Sequence, residues 1–110
     1  MSTLSTHALD ISLGRPAAGM AVRLEPADQD AGPLAAATTD ADGRVGELGP
    51  GDLPTGRYRL VFATGEYFAR TGRLAFHPHV TVDFEIADQA QHYHVPLLVS
   101  PYGYTTYRGS

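Results

Sequence analysis

The chain has 110 residues, a net charge of −4 with neutral histidines, 43% hydrophobic and 18% charged residues, and no cysteine. The length fits a single domain spanning residues 1–110. The composition excludes a disordered chain and a disulfide framework. All eight basic side chains are arginine, scattered rather than striped, so nucleic acid is not an expected partner.

No apolar run approaches a membrane span. Met1 to His7 lacks the basic and apolar regions of a signal peptide, so a cytoplasmic protein with no membrane partner is expected. A domain of this size buries only about 60–70% of its unfolded surface. Assembly into an oligomer would bury more.

Period-two alternation, broken by Gly, Pro and Asp about every ten residues, predicts an all-β sandwich or barrel. Leu4 to Asp10 reads as the first strand, with Leu4, Thr6 and Ala8 on one side and Ser5, His7 and Leu9 on the other. Gly14-Arg15-Pro16 reads as a turn. Met20 to Glu25 alternates as a half-buried strand, and Asp28 to Pro33 as a polar loop. Leu34 to Thr39 is a strand despite its alanines, being too short and uncapped for a stable helix.

Asp40-Ala41-Asp42-Gly43-Arg44 carries a tight-turn signal and places Arg44 at the start of the next short strand. Gly46 to Gly56 is loop, with at most a brief strand. Arg57 to Thr64 is a strand burying Tyr58, Leu60 and Phe62. Gly65 to Gly72 is the helix candidate, and Phe76-His77-Pro78-His79 a connector. His79 to Ile86 alternates again.

Gln91 to Ser100 is a strand with Tyr93, Val95, Leu97 and Val99 on the core face and His92, His94, Pro96 and Leu98 opposite. Pro96 lacks an N–H and belongs at an edge, a bulge or a change of pairing. After Pro101-Tyr102-Gly103, Tyr104 to Arg108 returns as a hairpin partner.

Chemistry gathers in few places. His77 and His79 flank a proline in a connector and read as ordinary residues. His92 and His94 share one strand face, where two imidazoles can meet a metal or a substrate. Catalytic zinc usually takes three protein ligands. His7 could be a third, but no cysteine or well-placed carboxylate joins the group, so no metal site is assigned. Metal-free acid–base chemistry suits the parts better: a neutral imidazole takes a proton from water near pH 7, and an arginine stabilises a developing oxyanion. Ser110 lacks a nucleophile elbow and reads as a binding or proton-relay group.

Four stretches together carry a resemblance: Ser5-Thr6-His7-Ala8-Leu9-Asp10, Thr39-Asp40-Ala41-Asp42-Gly43-Arg44, His92-Tyr93-His94-Val95-Pro96-Leu97-Leu98 and Tyr107-Arg108-Gly109-Ser110. In this order they resemble the 5-hydroxyisourate hydrolase family, the transthyretin-like proteins of urate degradation. The last tetrapeptide is the most specific part, since it separates the enzymes from transthyretin, the hormone carrier on the same fold. Ala8 stands where a larger aliphatic residue is common, Thr105 where Ser often appears, and Val99 where Leu is frequent.

The resemblance implies a transthyretin-like (prealbumin-like) two-sheet sandwich of about eight strands with one short helix. It implies a homotetramer with sites at the dimer–dimer interface. The implied reaction is hydrolysis of the small-molecule substrate 5-hydroxyisourate to 2-oxo-4-hydroxy-4-carboxy-5-ureidoimidazoline, with no cofactor. His7, Arg44, His94 and Ser110 match catalytic positions. Tyr107 matches a substrate-binding position; His92 matches a recurrent residue that lines the cleft or supports His94. The competing readings are a non-catalytic carrier of a small aromatic ligand, which would bind without turnover, and a metal-dependent hydrolase, which a chelator would inactivate.

Overall fold

In a computed structural model, residues 3–27 and 32–109 are described. Most of the expected Asp28–Pro33 loop, and Ser110, lie outside the described residues. The described strands are β1 (Thr3–Asp10), β2 (Arg15–Pro16), β3 (Ala21–Pro26), β4 (Ala35–Thr38), β5 (Arg44–Val45), β6 (Gly56–Phe62), β7 (Val80–Ile86), β8 (His92–Ser100) and β9 (Gly103–Thr106), with one helix, α1 (Thr64–Arg70). They form two sheets: β2-β1-β8-β9, with β5 also paired to β1, and β4-β3-β6-β7. Of the sandwich or barrel that the alternation predicts, this is the two-layer sandwich.

The inner faces supply the core. Leu4, Ala8, Tyr93, Val95, Leu97 and Val99 from the first sheet meet Val22, Leu24, Tyr58, Leu60, Phe62, Val80 and Ile86 from the second, all buried. Each set recurs with period two, as burial of one strand face requires. The loop between β5 and β6 adds Leu48 and Leu53, both buried, and Leu48 N–H donates to Leu4 O at 2.9 Å.

One expectation is corrected. Gly14-Arg15-Pro16 is not simply a turn: Arg15 and Pro16 pair back onto Asp10 and Leu9. The turn lies earlier, where Gly14 N–H donates to Asp10 O at 2.9 Å. Pro16 tolerates that place because β2 is an edge, and it is the strand beyond the about eight implied by the resemblance.

Helix α1 starts one residue before its predicted glycine and ends in a Schellman arrangement. Gly72 (φ +74°) sits at C′, its N–H donating to Ala69 O at 3.1 Å and that of Arg73 to Phe68 O at 2.9 Å, which satisfies the last free carbonyls. Tyr67 and Phe68 are the buried aromatic residues of its face.

Pro96 sits where pairing changes. The β8–β9 ladder runs from Ser100↔Gly103 to Leu97↔Thr106, and the departing chain bridges back to β8 at His94↔Gly109.

Candidate active site

The register of one strand pair builds the site. β1 and β8 run parallel with Thr3 opposite His92, Ser5 opposite His94 and His7 opposite Pro96. Residues two apart on a strand share a face, so Thr3, Ser5 and His7 line up beside His92, His94 and Pro96 on the outer face of the sheet. On the other flank of β1, β5 sets Arg44 directly opposite His7.

The Asp40–Arg44 turn aims both groups. The Asp40 carboxylate accepts from the backbone N–H of Asp42 at 2.9 Å and of Arg44 at 3.0 Å. Gly43 takes φ +76° and its N–H donates to Asp40 O at 2.9 Å. A Cβ on Gly43 would lie 2.3 Å from Ala8 O, so the turn presses directly on the β1 backbone. Ala8 N–H completes the contact by donating to Gly43 O at 2.7 Å.

That closeness carries Asp42 O to the His7 ring, whose Nε2–H donates to it at 2.9 Å. A neutral His7 therefore keeps its proton on Nε2 and a lone pair on Nδ1. Arg44 is exposed and makes no ion pair among the described residues. The Arg44 backbone N–H above all, then that of Asp42 and the Arg44 charge, outweigh burial and hold the Asp40 carboxyl below its ordinary value.

His94 is half-buried. Its Nδ1 lies 2.7 Å from Ser5 Oγ. The same oxygen lies 2.9 Å from His92 Nε2, and His92 Nδ1 is hydrogen-bonded to Thr3 Oγ1. Burial, reinforced by the neighbouring His7, Arg44 and His92, pushes the His94 imidazole below the ordinary histidine value, with contact at Ser5 opposing the shift. His94 thus stays neutral, and able to accept a proton, at neutral pH.

Two concavities meet at His94. An open groove of about 250 Å³ is lined by Ser5, Thr6, Arg44, Val45, His92 and His94. A second, of about 330 Å³, is bounded by Phe84, Glu85, Tyr93, His94, Tyr107 and Arg108. Tyr107 therefore shares a cavity with His94 but not with Arg44.

Gly109 closes over the histidine. Gly109 N–H donates to His94 O at 2.8 Å, and a Cβ on Gly109 would lie 2.4 Å from His94 Cδ2 and 3.2 Å from Pro96 Cγ. Arg108 secures this segment, stacked 4.6 Å over the Tyr93 ring and donating to Gln91 Oε1 at 2.8 Å.

Of the residues singled out from sequence, His7, Arg44, His92 and His94 come together on one outer sheet face, and Tyr107 flanks His94 from the other side. Ser5, Asp42, Gly109 and Arg108 complete the arrangement without having been singled out as site residues. Ser5 was detectable in principle, since it shares the His7 face of its strand. The pairing that brings it to His94 is a tertiary event. Among the described residues no three His, Asp or Glu side chains form a metal-ligand set.

A two-sheet sandwich carrying an Arg/His constellation on one outer sheet face defines a transthyretin-like protein with enzyme-type side chains. The chain belongs to the HIUase/Transthyretin family, whose profile matches residues 4–109. It is 49% identical to the 5-hydroxyisourate hydrolase of Caulobacter vibrioides, covering 100% of both chains. It is also similar to the structure of Klebsiella pneumoniae 5-hydroxyisourate hydrolase, with TM-score 0.90, 45% identity, and coverage of 100% of this chain and 94% of that one. Sea bream transthyretin, solved in complex with thyroxine, is more distant, at TM-score 0.86 and 32% identity over 96% of this chain and 93% of that one.

Proposed function

We propose that this protein is a 5-hydroxyisourate hydrolase, opening the ring of 5-hydroxyisourate at an amide carbonyl to give 2-oxo-4-hydroxy-4-carboxy-5-ureidoimidazoline. The observation that carries the reading is the grouping of His7, Arg44 and His94 on one sheet face, in a chain 49% identical throughout to a 5-hydroxyisourate hydrolase. A carrier has no use for two bases and an Arg44 guanidinium that makes no ion pair among the described residues.

In this reading the neutral His94, with His7, takes a proton from water as it attacks the carbonyl. The Arg44 fork meets the urate-like oxygens and stabilises the tetrahedral oxyanion. His92 lines the groove; Tyr107 orients the ring, and Ser110 relays protons. No metal or organic cofactor takes part.

We further propose a cytoplasmic homotetramer with its sites at the dimer–dimer interface. An open groove lined by exposed Arg44 and His92 supports this, because a second subunit would supply the missing wall and exclude water. The deciding experiment couples urate oxidase to this protein and follows decay of the 5-hydroxyisourate absorbance against spontaneous hydrolysis. Faster decay in proportion to enzyme, undiminished by a chelator, is expected. Decay at the spontaneous rate would refute the reading.

A further inference from the structure

The hydrogen bonds of His92 and His94 converge on one hydroxyl. Read along the sheet they form an unbroken chain: Thr3 Oγ1, His92 Nδ1, His92 Nε2, Ser5 Oγ, His94 Nδ1. The parallel register creates it, since Thr3 faces His92 and Ser5 faces His94, leaving Ser5 diagonal to His92. One end, His94 Nε2, has no hydrogen-bond partner among the described residues and can meet substrate. The other, at His92 and Thr3, reaches the exposed surface, while Ser5 is only 9% exposed.

We infer that Ser5 is a positioning residue that couples His92 and His94 into one proton relay from the reaction site to solvent. The inference rests on the proposed reaction for the direction of use, but the coupling follows from geometry alone. A serine hydroxyl has one proton. Between two ring nitrogens it donates to one and accepts from the other. If it donates to His94 Nδ1, then His94 is protonated at Nε2, and His92, donating from Nε2, is protonated there too. If it donates to His92 Nε2, both rings are protonated at Nδ1. Neutral His92 and His94 must therefore hold the same tautomer and change it together.

The relay has a chemical purpose. Hydrolysing a ring amide to a carboxylate and an uncharged ureido N–H releases one net proton. With both rings protonated at Nδ1, His94 Nε2 is a bare lone pair and accepts the proton of the attacking water. The His94 Nδ1 proton then passes to Ser5 Oγ, the Ser5 proton to His92 Nε2, the His92 Nδ1 proton to Thr3 Oγ1, and the Thr3 proton to solvent. One proton enters and one leaves. His94 ends neutral with an N–H at Nε2; as that proton passes to the leaving ring nitrogen, one returns along the same chain from solvent to His94 Nδ1 and resets both tautomers, and the new carboxylic acid releases the net proton. No imidazolium has to persist beside His7 and Arg44, the charged and titratable groups that face His94 from β1 and β5.

Two measurements test this. Imidazole nitrogen NMR of the free protein, at a pH where both rings are neutral, reads the tautomer fractions of His92 and His94. Equal fractions in the wild type, made independent by Ser5→Ala, are expected; unequal wild-type fractions overturn the coupling whether or not the protein hydrolyses 5-hydroxyisourate. In turnover, Ser5→Ala should lower kcat by about 10–100-fold with little change in KM and a smaller solvent isotope effect. Ser5→Thr, which restores the hydroxyl, should recover most of the loss. Ser5→Ala within two-fold of wild type, or Ser5→Thr falling as far as Ser5→Ala, overturns the relay. Failure of the wild type to accelerate decay refutes the proposed reaction instead.

Discussion

His94 lies between the groove that holds Arg44 and the Gly109 backbone, and both neighbours have measurable consequences. Burial, followed by His7, Arg44 and His92, lowers its pKa. The neutral form, the one able to act as base, persists as pH falls below the ordinary histidine range. The acid limb of kcat/KM should therefore lie below about 6.5; a limb at or above that value would remove His94 as the base. Gly109 gives a second test. Its absent Cβ would lie 2.4 Å from His94 Cδ2, so Gly109→Ala must displace the imidazole or the last residues. Misplacing a catalytic group by about 1 Å can cost 10²-fold, and a kcat loss of that order with an unmoved melting temperature is expected. Neither constraint is legible in sequence, where Gly109 is only part of a motif and the burial of His94 is a product of packing.

At the scale of elements, the Asp40–Arg44 turn is the piece whose geometry and chemistry coincide. Its Asp-Gly signal announces a tight turn, and the placement of Arg44 at the head of a short strand follows from that signal. Its docking on β1 does not, because the Gly43 to Ala8 contact joins segments far apart in the chain. Gly43→Ala combines a left-handed φ of +76° with a Cβ 2.3 Å from Ala8 O. Strain of this kind costs roughly 1–3 kcal/mol. The turn should lift from β1, taking Arg44 and the Asp42 contact of His7 with it. Thermal unfolding and turnover are then expected to fall together, whereas a stable and fully active variant would show that the turn does not aim the site. The β8 strand was the more readable element: its alternation sorted Tyr93, Val95, Leu97 and Val99 inward and both histidines outward. Its parallel partner was not readable, since strand order depends on the whole sandwich.

Across the molecule, the first sheet is tied to the helix through one buried carboxylate. Asp10, at 0% exposure, accepts from Tyr67 Oη at 2.8 Å and from Arg73 Nη2 at 2.7 Å, and from Ser12 N–H at 3.1 Å. Burial alone would raise its pKa, but Arg73, Ser12 and Tyr67 outweigh it and bring the value to about 2. A carboxyl lowered on folding stabilises the native state above its unfolded value and loses that contribution as pH falls through the folded one. Asp10 stability should thus drain away between about pH 4 and pH 2. Arg73→Ala leaves the carboxylate buried and unpaired, at an expected cost of about 3–5 kcal/mol, and shifts acid unfolding to higher pH; denaturant titrations across pH measure both. The sandwich and the helix beside it are legible in the sequence, but this link is not, because an Asp at the end of a strand and an Arg after a glycine look like ordinary surface residues.

The Gly109–His94 bridge bears on how the protein responds to heat. Among the described residues, Tyr107 to Gly109 are held by one backbone bond and by the grip of Arg108 on Tyr93 and Gln91, far less than secures the strands. Segments so lightly held open at a fraction of the global unfolding free energy. Catalytic output is then expected to be the intrinsic rate multiplied by the fraction of time Gly109 lies against the imidazole. On warming, activity should fade while both sheets stay intact, and the exchange of the Gly109 amide with heavy water would count each lapse.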